Sequence, residues 1–263
     1  MENFKDILND IIVPSRKIEG YLTPRESRFL ALLAIFPVAA GEILEIGSFK
    51  GKSTVILAKG ASLSNSAKII AVDPLTSPSI TDPDLKGQQS IFKEFHANLR
   101  DAGVEGYVEF HQKYSFELAQ EWNRKIRFLW IDGNHTYSGT KKDFDMFSKF
   151  LSDGAIIALH DVLNPFDGPI RVFMEDILLS DKFGVVGFCG SIGWAQHLED
   201  EKTNYKYRKK RLNIYLKLSK LIPFAVSKEK PEGIQKLRYK ILRAMVLYSE
   251  IKSINRLKKI IMK

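Results

Sequence analysis

Two residues with catalytic potential, Asp132 and His135, follow a near-continuous apolar run at positions 128–131. Such a run is typical of a strand that is covered on both faces, as the strands of parallel sheets are. Ligands of open α/β sheets bind beyond the carboxyl ends of the strands, where both side chains are predicted to lie. A carboxylate can bind a divalent cation, and an imidazole can accept a proton near neutral pH. The alternative is that Asp132, Gly133 and Asn134 form only a turn.

A second acid, Asp161, follows another apolar run at residues 155–159. If the two runs are adjacent strands, Asp132 and Asp161 end at the same edge of the sheet, where two carboxylates can hold a hard divalent cation. His160 precedes the second acid and is a further candidate metal ligand. In the alternative interpretation, Asp161 caps the following segment and His160 is a buried structural residue.

A loop with glycines lies between an apolar stretch at residues 43–46 and a predicted helix. Gly47 allows a sharp turn and the close approach of a ligand, and Gly51 follows four residues later. We assign Ser48 and Ser53 to the same site, because free N–H groups at the start of a helix suit a polar or anionic group. The glycine spacing matches neither a phosphate-binding P-loop nor the G-x-G-x-x-G of dinucleotide-binding folds.

A strand predicted over residues 68–72 ends in Asp73, at the position where such folds place an acid on ribose hydroxyls. The order of strand, glycine loop, helix, strand and acid predicts a nucleoside-type cofactor. A short helix predicted over residues 115–122 begins at Ser115, which we expect next to this cofactor. The polar residues 74–83 are expected to form a loop over the site.

The composition is that of a globular protein, with 44% hydrophobic residues in a chain of 263. The single Cys189 excludes an intramolecular disulfide and agrees with a reducing compartment. No secretory signal is evident, and the longest apolar run, at residues 29–40, is shorter than the roughly 20 residues that span a bilayer. We therefore expect a cytoplasmic protein.

Charge divides the chain near residue 200. Residues 1–200 carry 21 Lys and Arg against 27 Asp and Glu, whereas residues 201–263 carry 19 against 4. The chain is therefore predicted to have three parts. These are N-terminal helices that cover the site at 1–40, a cofactor-binding catalytic domain at 41–200 and a basic helical extension at 201–263.

Two amphipathic helices are predicted in the basic extension, over residues 205–222 and 234–261. Their apolar stripes are Leu212, Tyr215, Leu216 and Leu218 in the first helix, and Leu237, Ile241, Met245 and Tyr248 in the second. The helices either pack on the body or on a second subunit of a homo-oligomer, or they rest on an anionic membrane at its inner face. No nucleic-acid partner is expected, because the body is acidic and no nucleic-acid motif accompanies the charge.

The sequence LEIGSFKGKST resembles the first motif of class I S-adenosylmethionine-dependent methyltransferases, and IIAVDPL resembles their second. The resemblance covers about residues 41–197. It implies an α/β fold with a Rossmann-like, seven-stranded, mostly parallel sheet and helices on both faces. It also implies that the cofactor is S-adenosylmethionine, that Glu45 and Gly47 belong to the cofactor loop, and that Asp73 binds the ribose.

The longer pattern IDGNHTY, then Asp143, then DGAIIALHDV resembles the metal-dependent O-methyltransferases that act on sugars of antibiotics, glycolipids and polysaccharides. This implies a sugar or glycoconjugate acceptor, metal ligation by Asp132 and Asp161, and His135 as the base that takes the hydroxyl proton. Asp132 is thereby expected beside the cofactor and among the catalytic residues. His160 stands where metal-dependent members have a second acid. The site therefore holds Mg²⁺ on two carboxylates and waters, prefers a metal such as Mn²⁺ that tolerates nitrogen, or has lost its metal.

Two other classes of protein share parts of this pattern. An NAD-dependent oxidoreductase has the same strand, loop, helix and acid, but it needs the tighter glycine triplet that this sequence lacks. A non-catalytic nucleoside-binding module would keep Gly47 and Asp73, yet it has no use for Asp132, His135 and Asp161 at one edge. The pattern therefore favours methyl transfer to a hydroxyl group.

Overall fold

The computed structural model describes residues 4–64, 68–76, 91–227 and 231–246. Strands within these ranges are β1 Glu42–Ile46, β2 Ile69–Val72, β3 Val108–His111, β4 Ile126–Ile131, β5 Leu151–Leu159, β6 Phe183–Cys189 and β7 Ile192–His197. These seven described strands form one sheet in the order β3-β2-β1-β4-β5-β7-β6. Strands β1 to β5 pair in parallel, and β7 is antiparallel to both of its neighbours. The predicted fold class is confirmed.

Helices precede, connect and follow the strands. In the described part of the chain they are α1 Phe4–Ser15, α2 Pro24–Ile35, α3 Lys52–Ser62, α4 Phe92–Asp101, α5 Ser115–Glu121, α6 Tyr137–Phe147, α7 Asp167–Val172, α8 Glu201–Leu218, α9 Ile222–Ala225 and α10 Gly233–Met245. Helix α7 continues as a π-helical segment, Phe173–Leu178. No described helix has the length and apolar character needed to cross a membrane.

The sequence Thr23-Pro24-Arg25-Glu26 matches a capping box with proline at the first helical position, and the start of α2 has this geometry. Thr23 Oγ1 accepts the N–H of Glu26 at 3.3 Å, and the N–H of Thr23 donates to the Glu26 carboxylate at 2.8 Å. Pro24 occupies the first helical position, where a missing N–H costs nothing. The capping box therefore fixes where the helix begins.

Alternate residues of the central strands enter apolar clusters on the two faces of the sheet. In β4, Phe128 and Trp130 join the cluster that contains residues of α1 to α3, whereas Leu129 and Ile131 join the cluster that contains residues of α6 to α8. Successive side chains of a strand point to opposite faces, so this strand is buried on both sides. This burial explains why every residue of β4 except Arg127 is apolar.

The register of the sheet brings the ends of β1, β4 and β5 together. Ile46 pairs with Ile131, and Ile131 pairs with Leu159. The N–H of Asp132 then donates to Ile46 O at 2.8 Å, and the N–H of His160 donates to Ile131 O at 3.0 Å. The residues that follow these three strands therefore meet at one edge.

Several predicted boundaries need correction. Helix α8 begins at Glu201 because the Asp200 side chain accepts the N–H of Lys202 at 3.0 Å and caps the helix. Helix α10 ends at Met245, because Val246 adopts extended backbone and is buried in the core. Parts of the predicted loop at 74–83 and of the predicted helix at 234–261 lie outside the described residues.

The predicted apolar stripe of α8 is not its packing face. Leu212 and Leu216 are exposed, whereas Leu218 is buried. The buried residues of this helix are Asn204, Arg211, Ile214 and Leu218. Two of these four are polar, which a search for apolar periodicity does not find.

Candidate active site

The loop after β1 turns at Gly47, where φ is +88°. A Cβ atom at this position would lie 2.3 Å from the carbonyl oxygen of Asp132, so only glycine fits here. The N–H of Gly47 donates to Val72 O at 3.0 Å. The loop therefore packs closely between the ends of β2 and β4.

The carboxylate of Asp73 holds the same loop from the other side. Its Oδ2 accepts the N–H groups of Ser48 at 2.7 Å and Phe49 at 2.9 Å, and its Oδ1 accepts the N–H of Leu75 at 2.7 Å. A carboxylate has about four acceptor positions, so one remains for a ligand hydroxyl. Burial raises the pKa of Asp73, although the three N–H groups act in the opposite direction.

Glu45 and Gly51 differ from the prediction that they contact the cofactor. Glu45 is fully buried below the loop, where its Oε2 accepts Ser48 Oγ at 3.0 Å and Thr54 Oγ1 at 2.6 Å. Burial raises the pKa of Glu45 to about 7. A Cβ atom at Gly51 would lie 3.2 Å from the ring of Phe95. Neither residue lines the cavity that the described residues form, so both support the loop from behind.

A cavity of about 520 Å³ extends from this loop to the end of β4. Its volume lies within the range of small-molecule sites, roughly 300–1,000 Å³. The predicted site residues that line it are Gly47, Ser48, Ser53, Asp73, Ser115, Asp132 and His135. One space therefore connects the predicted cofactor residues with the predicted catalytic residues.

Asp132, His135 and Asp161 form a compact cluster at the ends of β4 and β5. One potential ligand atom from each residue lies within 4.8 Å of the others. His135 Nε2 is 3.4 Å from Asp161 Oδ2 and 3.7 Å from Asp132 Oδ1. Two carboxylates and an imidazole at this spacing fit one divalent cation that accepts both oxygen and nitrogen, such as Mn²⁺.

The His135 side chain is about 14% exposed, but both of its ring nitrogens are buried. Neither nitrogen makes a hydrogen bond of good geometry within the described residues, although Nε2 faces the two carboxylates. The ring stacks on Phe166, with the centroids 4.5 Å apart. Burial lowers the pKa of His135, but the negative charges of Asp132 and Asp161 outweigh this effect and raise it. A buried polar atom without a partner is unfavourable, so this imidazole suits a ligand or metal.

His160 takes a different position from the metal ligand that we predicted. Its Nδ1 is 3.0 Å from Asp132 Oδ1, and its Nε2 faces Glu26 Oε1 at 3.9 Å. Burial alone would lower the pKa of His160, but Asp132, Asp161 and Glu26 raise it well above its ordinary value. Both ring nitrogens therefore face carboxylates, and the group of potential ligands within 4.8 Å of one another is Asp132, His135 and Asp161, so this geometry favours the buried structural role of His160.

Glu26 connects the acidic cluster to α2 and to the turn between β6 and β7. Its Oε1 accepts the N–H of Ser191 at 2.6 Å and the hydroxyl of Ser191 at 2.7 Å. Burial opposes its ionisation, yet interactions with His160, Thr23 and Ser191 lower the pKa of Glu26 to about 2. The sequence indicated only its capping role, because its other partners lie far away along the chain.

Residues 44–162 match the family Methyltransf_24, which is described as a methyltransferase domain. This part of the chain is a methyltransferase domain. An uncharacterized protein of Acanthamoeba polyphaga mimivirus is 25% identical over 121 residues, which are 45% of this chain and 50% of that protein. The chain thus spans about half the length of this curated relative.

Solved structures of methyltransferases share the fold. An O-methyltransferase from Bacillus cereus in complex with SAH matches with a TM-score of 0.54 and 18% identity, over 75% of this chain and 92% of that chain. TomG from Streptomyces achromogenes, an O-methyltransferase involved in tomaymycin synthesis, matches with a TM-score of 0.52 and 17% identity, over 75% and 91%. The O-methyltransferase NovP matches with a TM-score of 0.57 and 10% identity, over 74% and 98%. The fold is that of class I methyltransferases.

Other residues that line the cavity of the methyltransferase domain were not predicted as site residues. They include Tyr21, Tyr114, Phe116, Lys142 and Asp143. Ser115 Oγ donates to Asp143 Oδ1, and burial raises the pKa of Asp143 to about 6. Gly139 also lines the cavity. Asp143 follows it by four residues, so both lie on the same face of α6, and this spacing is the feature of the sequence that could have identified Asp143.

Proposed function

We propose that this protein is an S-adenosylmethionine-dependent O-methyltransferase that acts on a hydroxyl group of a sugar or glycoconjugate. The observation that carries this proposal is the cavity that joins Gly47 and Asp73 to Asp132 and His135. Methyl transfer requires the donor and the acceptor oxygen side by side in one site. The match to a methyltransferase family supports the reaction, and the shared fold with solved O-methyltransferases supports an oxygen acceptor.

The loop end of the cavity fits the nucleoside part of S-adenosylmethionine. Asp73 keeps one acceptor position for a ribose hydroxyl, and Gly47 leaves room for a ligand close to the backbone. Ser115 and Asp143 offer polar atoms on the opposite wall. The cofactor supplies an activated methyl group when bound, so the protein has to position and activate the acceptor.

His135 is the residue that we assign to the acceptor proton. With the methyl group supplied by bound S-adenosylmethionine, His135 Nε2 would take up the proton that the acceptor hydroxyl loses as its oxygen is methylated. Asp161 and Asp132, at 3.4 and 3.7 Å, stabilise the imidazolium that forms. The stacking of the ring on Phe166 keeps it in this orientation.

Asp132 and Asp161 are the residues that would hold a divalent cation, which lowers the pKa of a bound hydroxyl. His135 Nε2 is close enough to be a third ligand, but one nitrogen cannot be ligand and base in the same step. Equilibrium dialysis with Mn²⁺ separates the two roles. We expect Asp161→Asn to weaken Mn²⁺ binding at least about tenfold, and His135→Asn to leave it nearly unchanged. An equal loss in both variants would make His135 a ligand.

Titration calorimetry with S-adenosylmethionine and with NAD tests the cofactor. We expect binding of the first and not of the second. Formation of S-adenosylhomocysteine in the presence of a panel of sugars and glycolipids then tests the acceptor. Binding of NAD alone would favour an oxidoreductase, and cofactor binding without turnover of any hydroxyl acceptor would favour a non-catalytic module.

A further inference from the structure

Helix α10 carries an apolar stripe on its outer surface. Ile234, Leu237, Ile241 and Met245 are 87%, 59%, 55% and 49% exposed. At about 100° per residue, these four side chains lie within roughly 80° of one another around the helix axis. They form a continuous strip along the whole helix, which we call the outer stripe.

The opposite side of α10 is attached to the protein body. Tyr239 is buried, and its hydroxyl donates to the carbonyl oxygen of Leu163. Val246, just after the helix, is buried in the same apolar cluster, and Leu242 packs against that cluster. A helix that only packs on its own domain buries its apolar stripe. Here the attached side is a different one, so the outer stripe faces away from the body.

Exposed cations flank the outer stripe. Lys236 and Lys240 lie on one side of it, and Arg238 lies on the other. The basic extension to which α10 belongs, residues 201–263, contains 19 Lys and Arg against 4 Asp and Glu in its sequence. An apolar strip between cations matches an anionic bilayer, where apolar side chains enter the interface and cations contact the headgroups. A second copy of this chain would instead bring like charges together.

We propose that the outer stripe of α10 docks on the surface of an anionic membrane. Leu163, which Tyr239 contacts, lies two residues after Asp161 in the chain. Docking therefore places the loop that contains Leu163, next to the acidic cluster, roughly 10 Å from the lipid surface, which is about the diameter of one helix. This last step rests on the proposed function, for which it indicates a lipid-linked sugar as the acceptor.

Co-sedimentation of the full chain with vesicles tests the docking. The vesicles contain phosphatidylcholine alone or phosphatidylcholine with phosphatidylglycerol. We expect binding to the anionic vesicles only, and a loss of about tenfold or more in partitioning for the double variant Leu237→Glu with Ile241→Glu. Leu179→Glu is the matched control, because Leu179 is also exposed, by 48%, but lies outside the extension. It should bind like the wild type.

Two further measurements show whether a negative result contradicts the membrane docking or the proposed function. Light scattering of the same samples measures the mass in solution. A mass that falls from dimer to monomer in the double variant, without vesicle binding by the wild type, would assign the outer stripe to a second copy and overturn the proposal. Equal vesicle binding by the wild type and the double variant would also overturn it. Calorimetry with S-adenosylmethionine on these samples reports on the proposed function separately, since it needs neither vesicles nor acceptor.

Discussion

At the scale of single residues, His135 is the side chain on which proton transfer depends. We predict that His135→Asn lowers methyl transfer by about 10²- to 10⁴-fold, the usual contribution of a general base. The affinity for S-adenosylmethionine should change little, because the predicted contacts Gly47, Ser48 and Asp73 belong to the loop after β1 and the end of β2. Turnover and calorimetry measure the two effects. His96→Asn, a histidine on α4 outside the cavity lining, is the control, and wild-type turnover in His135→Asn would disprove the assignment.

Glu45 should make the stability of the protein depend on pH. Burial raises its pKa from an ordinary 4.5 to about 7, so the folded state binds this proton more tightly than the unfolded state does. The resulting contribution to stability is complete below pH 4.5 and is lost as the pH rises to about 7. The shift corresponds to about 3 kcal/mol in the free energy of unfolding.

The variant Glu45→Gln should remove most of this dependence. We compare the free energy of unfolding of the variant minus that of the wild type. This difference should be about 3 kcal/mol larger at pH 8 than at pH 4.5, which means that the variant gains stability over the wild type as the pH rises. Urea unfolding at the two pH values measures the difference. Glu199→Gln changes an exposed glutamate and should show no such trend. A constant difference between Glu45→Gln and the wild type at both pH values would contradict the buried-acid interpretation.

At the scale of elements, the turn between β1 and α3 depends on a single glycine. In Gly47→Ala the new Cβ would meet the Asp132 carbonyl at 2.3 Å, on backbone with a φ of +88°. We predict a loss of about 1–3 kcal/mol in stability and a loss of cofactor affinity of about tenfold or more, because the loop has to move. Thermal unfolding and calorimetry test both effects.

A second glycine provides the comparison for this variant. A Cβ atom at Gly106 meets nothing within 4 Å, and its φ is not in the left-handed region. Gly106→Ala should therefore leave cofactor affinity unchanged. Equal effects of the two substitutions would mean that the close packing of Gly47 against the Asp132 carbonyl does not affect cofactor binding.

At the scale of the whole molecule, Arg211 attaches the basic extension to the sheet. It is fully buried, and its guanidinium donates to the carbonyl oxygens of Leu178 at 3.2 Å, Asn204 at 3.0 Å and Phe183. Asp181 lies 3.7 Å away. One charged side chain therefore connects α8 to β6 and to the end of the π-helical segment that follows α7.

We predict that Arg211→Ala lowers the free energy of unfolding by about 2–4 kcal/mol, because buried carbonyl groups lose their donors. Arg208→Ala on the same helix removes an exposed guanidinium and should change stability by no more than about 0.5 kcal/mol. Chemical denaturation of both variants makes the comparison. Equal stabilities would show that α8 is held by its apolar contacts alone.

The sequence by itself determined the order of the elements and the edge at which the site lies. Apolar runs at residues 128–131 in β4 and 155–159 in β5 identified buried parallel strands, and the pattern from Thr23 to Glu26 identified the start of α2. Such signals are local, because hydrophobic periodicity and capping involve residues within a few positions of one another. Asp132 and Asp161 could be paired in advance because parallel strands end at the same edge.

Tertiary structure alone decided which of two histidines faces the site. Both lie within three residues of an acid at the end of a strand, but His160 is enclosed by Asp132 and by Glu26, a residue more than 130 positions earlier in the chain, whereas His135 lines the cavity. Likewise, the basic charge of the extension did not separate the buried Arg211 from its exposed neighbours. The protonation and burial of a charged side chain depend on the groups packed around it, and these come from distant segments. The sequence pattern within one segment therefore does not identify the groups from distant segments that pack around a charged side chain.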